Sequence, residues 1–353
     1  MTYQVTVEPT GDVVEVEDGQ TLLDAALRQG VWLPFACGHG TCGTCKVQVL
    51  EGYADAGDAS SFALMDSERD EGKLLACCCL PESDMVIEAD VDVDPDFQGL
   101  PVEDYQGKVV LIEDLSPTIK HIRLELDRPM AFQAGQYINL HVPSIDSTRA
   151  FSIANPPSMS GIIDLHVRKV EGGAGTTWLH EELEVGQSLD VSGPYGQFFV
   201  RKSDPQGAIF IAGGSGLSSP ESMIMDLLEQ GDTRPIYLFQ GARNKAELYH
   251  ADHFYELAEK HDNFHYIPAL NAPLPDDGWE GFVGFVHEAV GQFFEQRCSG
   301  NKAYLCGPPP MIEAAISTLM QSRLFERDIH MEQFLTAADG ATGKVRSALF
   351  KRI

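Results

Sequence analysis

The chain has 353 residues, 53 of them Asp or Glu against 25 Lys or Arg, for a formal net charge of −28, and 43% of it is apolar. At roughly 100 to 200 residues per domain this length predicts two or three domains with cores of their own, and the apolar content excludes a disordered chain. So acidic a surface repels phosphate backbones and anionic headgroups, which argues against nucleic acid or membrane as partners and for a protein with a basic patch.

No window approaches the roughly 18 apolar residues of a spanning helix, and the opening MTYQVTVEPT has neither a basic nor an apolar targeting region, so a cytoplasmic protein is expected. Of the eight cysteines, six fall between Cys37 and Cys79. In a reducing compartment such crowding points to metal or redox chemistry rather than disulfides. The charge is uneven as well. The first hundred residues hold 20 acids and 4 bases, net −16, leaving 33 and 21 for the other 253.

Taken in order, Tyr3 to Val7 and Val13 to Val16 alternate apolar and polar residues around Pro9 to Asp12, a hairpin signal. Leu22, Leu23, Ala26 and Leu27 recur at helical spacing, with Gly30 as the stop. Glu88 to Asp96 reads as a last strand running into a solvated linker, Gln98 to Pro101. From Gly107 to Val200 come short strands, at 109–112, 121–126, 137–142, 150–153, 162–170 and 188–191, without long helices between them. That rhythm predicts a small antiparallel barrel. After Gln206, apolar runs at 208–212, 236–240, 265–270 and 303–306 alternate with helical patterns at 221–229, 252–260, 287–294 and 311–322, which predicts a parallel sheet covered on both faces. The expected domains are therefore 1–97, 98–202 and 203–353, the last with a C-terminal tail.

Cys37, Cys42 and Cys45 have the spacing C-x4-C-x2-C, with a further run at Cys77, Cys78 and Cys79. Three thiolates on one loop and a distant fourth form the plant-type arrangement for a [2Fe-2S] cluster, and Gly38, Gly40 and Gly43 let the backbone turn N–H groups toward sulfur. A zinc site expects two short-spaced cysteine pairs, and the second is missing. Consecutive residues cannot all face one metal. Cys77, which follows the apolar Leu74-Leu-Ala, is the preferred fourth ligand, and spacing leaves Cys78 and Cys79 open. The segment resembles plant-type ferredoxin domains, which implies a β-grasp fold with Cys37, Cys42, Cys45 and Cys77 as ligands.

Arg149-Ala150-Phe151-Ser152 resembles the Arg-x-Tyr-Ser motif of the ferredoxin reductase family, with Phe151 in place of tyrosine. A guanidinium suits a pyrophosphate, a ring can cover a flavin face, and a hydroxyl can bond a flavin nitrogen. Gly173, Gly175, Thr176 and Thr177 fall just before Trp178 to Leu183, at an expected helix N-terminus that favours an anion. The resemblance puts the FAD pyrophosphate there and makes Gly193 to Gly196 the barrel exit loop.

Ile209 to Ala212 followed by Gly213, Gly214, Ser215 and Gly216 reads as a buried strand, a glycine-rich turn and a helix start, with Ser218 and Glu221 as a capping box. Tyr304-Leu-Cys306-Gly307-Pro308 puts a cysteine at a strand's carboxyl end, where parallel sheets bind ligands, so Cys306 and Gly216 are expected to line one crevice. In the ferredoxin reductase family a Cys-Gly-Pro segment lies by the nicotinamide, and a terminal aromatic, here Phe334, lies over the flavin. The tail to Ile353 is the rival source of that cover. Relatives with Gly-Ala-Arg before an acidic-Leu-Tyr segment, here Gly241 to Tyr249, mostly use NADH, so the resemblance implies NADH.

Nicotinamide yields two electrons together and a [2Fe-2S] cluster takes one, so a flavin belongs between them. The whole chain resembles the reductase components of bacterial multicomponent oxygenases, and within them the phenol hydroxylase reductases that serve a di-iron aromatic monooxygenase. The expected path is NADH to FAD to [2Fe-2S] to the oxygenase component, docked near the acidic ferredoxin domain, with Cys306 and Ser152 as catalytic residues. Rival expectations are a reductase for another ring-hydroxylating oxygenase, a stand-alone flavin or ferric reductase, and a redox-sensing adaptor.

Overall fold

The computed structural model describes residues 1–91 and 94–334. By internal contacts they divide between Glu103 and Asp104 into two compact units.

In the first unit, β1 (Thr2–Glu8) and β2 (Asp12–Glu17) form the expected hairpin, and the alternating Val5, Val7, Val14 and Val16 are fully buried. Helix α1 (Leu22–Arg28) is capped by Thr21, whose hydroxyl accepts the Asp24 N–H at 3.4 Å, and it turns Leu22, Leu23 and Ala26 onto the sheet. Strands β3 (Lys46–Glu51), β4 (Lys73–Leu75) and β5 (Met85–Glu88) complete a mixed sheet in the order β2-β1-β5-β3-β4. The pairing of β1 with β5 is parallel and a helix covers one face, which is the β-grasp arrangement.

The second unit begins with an antiparallel sheet of β6 (Glu103–Ser116), β7 (Ile119–Leu126), β8 (Tyr137–Val142), β9 (Ser147–Ser152), β10 (Ile162–Arg168) and β11 (Ser188–Tyr195), in the order β9-β8-β11-β6-β7-β10. It curls until its edges meet, Ile153 after β9 bridging antiparallel to Leu165 of β10. Inside lie Val109, Leu124, Ile138, Leu140, Leu165 and Val191. Helix α2 (Ala174–Glu181) starts four residues before the expected Trp178, because Gly173 takes the extended cap conformation and Ala174 to Thr177 form the first turn.

A parallel sheet follows, made of β12 (Gly207–Gly213), β13 (Ile236–Ala242), β14 (Phe264–Leu270), β15 (Phe282–Val283), β16 (Asn301–Gly307) and β17 (Ile329–Gln333), in the order β15-β14-β13-β12-β16-β17. The central strand β12 is buried throughout, and its alternation sorts two cores. Ala208, Phe210 and Ala212 pack with Met223 and Leu227 of α3 (Ser218–Glu229) and Phe254 of α4 (Ala251–Lys260). Ile209 and Ile211 pack with Val290 of α5 (Val286–Phe293) and Ile316 of α6 (Pro309–Gln321). Strand order reverses between β12 and β16, so the crevice at their carboxyl ends is the place such sheets use for ligands. No helix among the described residues is long and apolar enough to cross a membrane.

Candidate functional site

The cysteine loop arranges its sulfurs in two pairs. Cys45 Sγ lies 3.2 Å from Cys77 Sγ, and Cys37 and Cys42 are each other's strongest electrostatic neighbour, with Cys42 Sγ donating to Thr44 Oγ1 at 3.3 Å. The neighbouring Cys42 thiol holds the Cys37 thiol well below its ordinary value against the effect of burial, while Cys37 and then burial push Cys42 up. Backbone N–H groups point at sulfur along the loop: Gly40 to Cys77 at 3.2 Å, Thr41 to Cys37 at 3.4 Å and Thr44 to Cys42 at 3.5 Å. Gly40 carries this with φ +76, and a Cβ there would meet Cys78 Sγ at 2.6 Å. Two sulfur pairs ringed by N–H donors fit a cluster of two irons, each taking two thiolates. Among the three consecutive cysteines, Cys77 turns its sulfur to this group, while Cys79 is fully buried, where desolvation lifts its thiol to about 12.

On the curled sheet, Arg149 and Ala150 are exposed on β9, Phe151 is half-buried against the barrel core and Ser152 is buried. The structure brings Arg149 to the start of α2: a Cβ on Gly175 would lie 3.5 Å from Arg149 Cγ. The first-turn N–H groups of Ala174, Gly175 and Thr176 are the donors that a helix leaves unused at its start, so a guanidinium and a helix terminus face one place. Both suit a pyrophosphate. The Thr176 hydroxyl is engaged locally instead, accepting from Val170 N at 3.1 Å and donating to Gly173 O at 3.2 Å.

At the crevice, Gly216 lies so close to β16 that a Cβ would sit 2.4 Å from the Cys306 carbonyl oxygen, so the glycine turn and the Cys306 segment are one surface. Gly213 and Gly307 pack together beneath Met311 and next to Pro308. The turn runs through a 3-10 segment from Gly214 to Leu217 into α3, which corrects the expected capping box. Ser218 is already helical and donates to Ser215 O at 2.9 Å, and the Glu221 carboxylate pairs with His250 Nδ1 at 3.1 Å.

The two sheets meet at a residue that sequence reasoning left out of the site. Glu332 is the register partner of Cys306 on adjacent parallel strands, and its Oε2 accepts hydrogen bonds from Ser152 Oγ at 3.0 Å and Ser219 Oγ at 3.1 Å, with Cys306 Sγ 3.8 Å away. Burial raises the Glu332 carboxyl above its usual range, against the hydrogen bonds that lower it. Burial first, then the charge of Glu332, lifts the Cys306 thiol well above its own. Cys306 therefore stays a neutral thiol. Phe334 lies two residues beyond Glu332, half-buried against the core that includes Cys306, its N–H on Gly307 O at 3.0 Å. The tail considered as an alternative cover, 335–353, lies outside the described residues. The one sequence signal for Glu332 was an acid inside a terminal strand.

Comparison with known proteins finds three family matches along the chain. Residues 5–82 match a 2Fe-2S iron-sulfur cluster binding domain, 106–200 an oxidoreductase FAD-binding domain, and 210–316 an oxidoreductase NAD-binding domain. Over 353 residues, all of both chains, the protein is 72% identical to the phenol hydroxylase P5 protein of Acinetobacter pittii (strain PHEA-2) and 69% identical to DmpP, the reductase component of phenol 2-monooxygenase from Pseudomonas sp. (strain CF600). Among solved structures, the Amycolatopsis cytochrome P450 reductase GcoB matches with a TM-score of 0.85 at 36% identity, over 95% of this chain and 100% of that one. With three family matches in series and full-length relatives at these identities, the chain belongs to the phenol hydroxylase reductase family of iron-sulfur flavoprotein oxidoreductases.

Proposed function

We propose that this protein is the NADH-dependent reductase component of a phenol-type di-iron monooxygenase, passing electrons from NADH through FAD and a [2Fe-2S] cluster to the oxygenase. The observation that carries the reading is the meeting of Ser152 from the curled sheet with Cys306 and Glu332 from the parallel one, because a flavin and a nicotinamide must touch where their two domains join. Bound there, the flavin would take electrons from NADH as a hydride and return them singly toward the cluster. The chain's own part is orientation and proton handling. Arg149 and the start of α2 would hold the pyrophosphate, Phe151 and Phe334 would shield the ring system, and the Gly213 to Gly216 turn with Gly307 and Pro308 would seat the dinucleotide. Ser152 and the neutral Cys306 position the reacting groups. Glu332 Oε2 takes and returns protons through Ser152 Oγ, its raised affinity set by burial.

Cys37, Cys42, Cys45 and Cys77 hold the cluster. The domain limits that go with this reading are 1–97, 98–202 and 203–353, and a cytoplasmic setting suits cysteines that form no disulfide among the described residues. The oxygenase docks on the acidic first unit, beside the cysteine loop. Phe62 supports that face: it is 95% exposed on the segment whose Ser60 N–H bonds Gly40 O at 3.0 Å, and Met65 nearby is exposed too. An apolar contact inside an acidic rim is what a partner with a basic collar would cover.

The test is a visible spectrum of the purified holoprotein with iron, sulfide and FAD assays, before and after NADH, followed by turnover with a phenol hydroxylase oxygenase across a salt series. We expect flavin and cluster to bleach with NADH, and oxygenase-coupled turnover to fall as salt rises while ferricyanide reduction holds steady. Pigment that NADH never bleaches would refute the reading, and salt-independent coupled turnover would refute the docking face alone.

A further inference from the structure

Behind the candidate dinucleotide turn, the two sheets of the second unit share a second cluster that the redox path does not use. His166 stands on β10, Glu221 in the first turn of α3 and His250 at the cap of α4, and one ligand atom from each lies within 4.8 Å of the others. We propose that these three side chains form a site for one divalent transition-metal ion of the zinc class, bracing the curled sheet against the parallel one.

The hydrogen bonds around the cluster prepare the ligands. The Tyr249 hydroxyl donates to Gly214 O at 3.1 Å, so its oxygen accepts from His166 Nδ1, 3.2 Å away. That fixes the tautomer in which His166 Nε2 carries the lone pair, the way a neighbouring oxygen commonly orients a zinc-binding imidazole. His166 is buried and stays neutral. Glu221 is ionised, and its two oxygens both lie 3.1 Å from His250 Nδ1; burial opposes a proton on His250 but this carboxylate raises its proton affinity, so an incoming ion displaces that proton. His250 is held at φ 59, a left-handed backbone that non-glycine residues rarely adopt, and this turns its ring to Glu221. The neighbouring His121 is already committed, to Glu113 at 2.9 Å and Asp164 at 2.8 Å, and so falls outside the ligand set. Two imidazoles and a carboxylate on three separate elements are a recurrent zinc donor set, with water left to fill a fourth position. Because Tyr249 joins His166 to the Gly214 carbonyl, an ion held here also steadies the turn that receives the dinucleotide.

The experiment uses the holoprotein with its iron and sulfide intact, dialysed against Zn2+ and assayed for metal, with the thermal release of flavin fluorescence as a second readout. His250→Asn removes the imidazole but tolerates the left-handed backbone, and Glu221→Gln removes the carboxylate charge at constant size. We expect one zinc per chain beyond the iron, an upward shift of the flavin-release midpoint with zinc, and affinity falling on the order of 100-fold in each variant. A holoprotein that takes up no zinc would overturn the proposal. So would zinc retained unchanged in both variants, or zinc gained only as iron is lost, which would put it on the cysteine loop.

Discussion

The cysteine loop and the Glu332 junction both serve redox groups, but they are built in opposite ways. The loop is local: three of its four sulfurs lie within nine residues, and its N–H donors come from the same turn. The junction is assembled from afar, with Ser152, Ser219, Cys306 and Glu332 brought from one strand of the curled sheet and three elements of the parallel unit. A local site depends on its own backbone. An assembled one depends on the packing of whole sheets, so the two should fail in different ways when single residues are changed.

The largest expected effect is at the local site. Cys77→Ser should abolish the cluster, seen as loss of iron, sulfide and visible absorbance, and cut delivery to cytochrome c by more than about 100-fold, because a hydroxyl replaces a thiolate ligand. FAD content and NADH-dependent ferricyanide reduction should persist. Cys78→Ser and Cys79→Ser should keep the cluster. If Cys78→Ser loses it and Cys77→Ser does not, the ligand assignment is wrong, although the contrast between local and assembled sites survives.

An intermediate effect is expected at the junction. Glu332→Gln keeps the size of the side chain and removes the ionisable oxygen that Ser152, Ser219 and Cys306 face. Losing one proton-handling group costs on the order of 100-fold in turnover, so NADH:ferricyanide rates should drop by that order while iron, sulfide and FAD contents stay put. The pH profile is the more telling readout. Burial raises the Glu332 carboxyl above 4.5, so the native profile should carry a limb above that pH which the variant lacks. Equal profiles would leave Glu332 a structural acid and remove the proton role.

The contrast also explains what could be foreseen. Periodicity located strands such as Tyr137–Val142 and the alternation of strand and helix from Ala208 onward, because burial on one face or two is written into neighbouring residues. Cysteine spacing is equally local. Glu332 was invisible because its partners lie 26, 113 and 180 residues away, and only parallel pairing of β16 with β17 sets it beside Cys306. The capping box failed for a related reason: Glu221 had a distant partner, His250, that local pattern does not reveal. At α2 the miss was conformational, since Gly173 caps a helix that the small residues after it can already enter.

The smallest effect tests whether the assembled region rests on buried polar ties. Asp164 on β10 is buried, which by itself raises its carboxyl, yet hydrogen bonds from His121 at 2.8 Å and Arg123 at 2.7 Å outweigh burial and hold it at about 2 against an ordinary 3.8. Its N–H also bonds Asn155 Oδ1 at 2.8 Å, and Ser222 of α3 donates to the Asn155 carbonyl at 2.7 Å, so the tie runs on to the parallel sheet. A carboxyl depressed in the fold adds stability that is present above pH 3.8 and lost as pH falls through about 2. The difference corresponds to about 2 kcal/mol. His121 works in the other direction: burial lowers its affinity for a proton, but Asp164 and Glu113 raise it above 6.5, so its share is complete below 6.5 and fades as pH climbs through the raised value. Flavin retention should therefore peak between about pH 4 and 6.5. In Asp164→Asn the midpoint for flavin release should fall at neutral pH and the acid limb between pH 4 and 2 should flatten, with cluster absorbance at neutral pH unchanged. A variant whose acid limb matches the native one would mean that the polar chain from His121 to Ser222 contributes nothing to holding the junction.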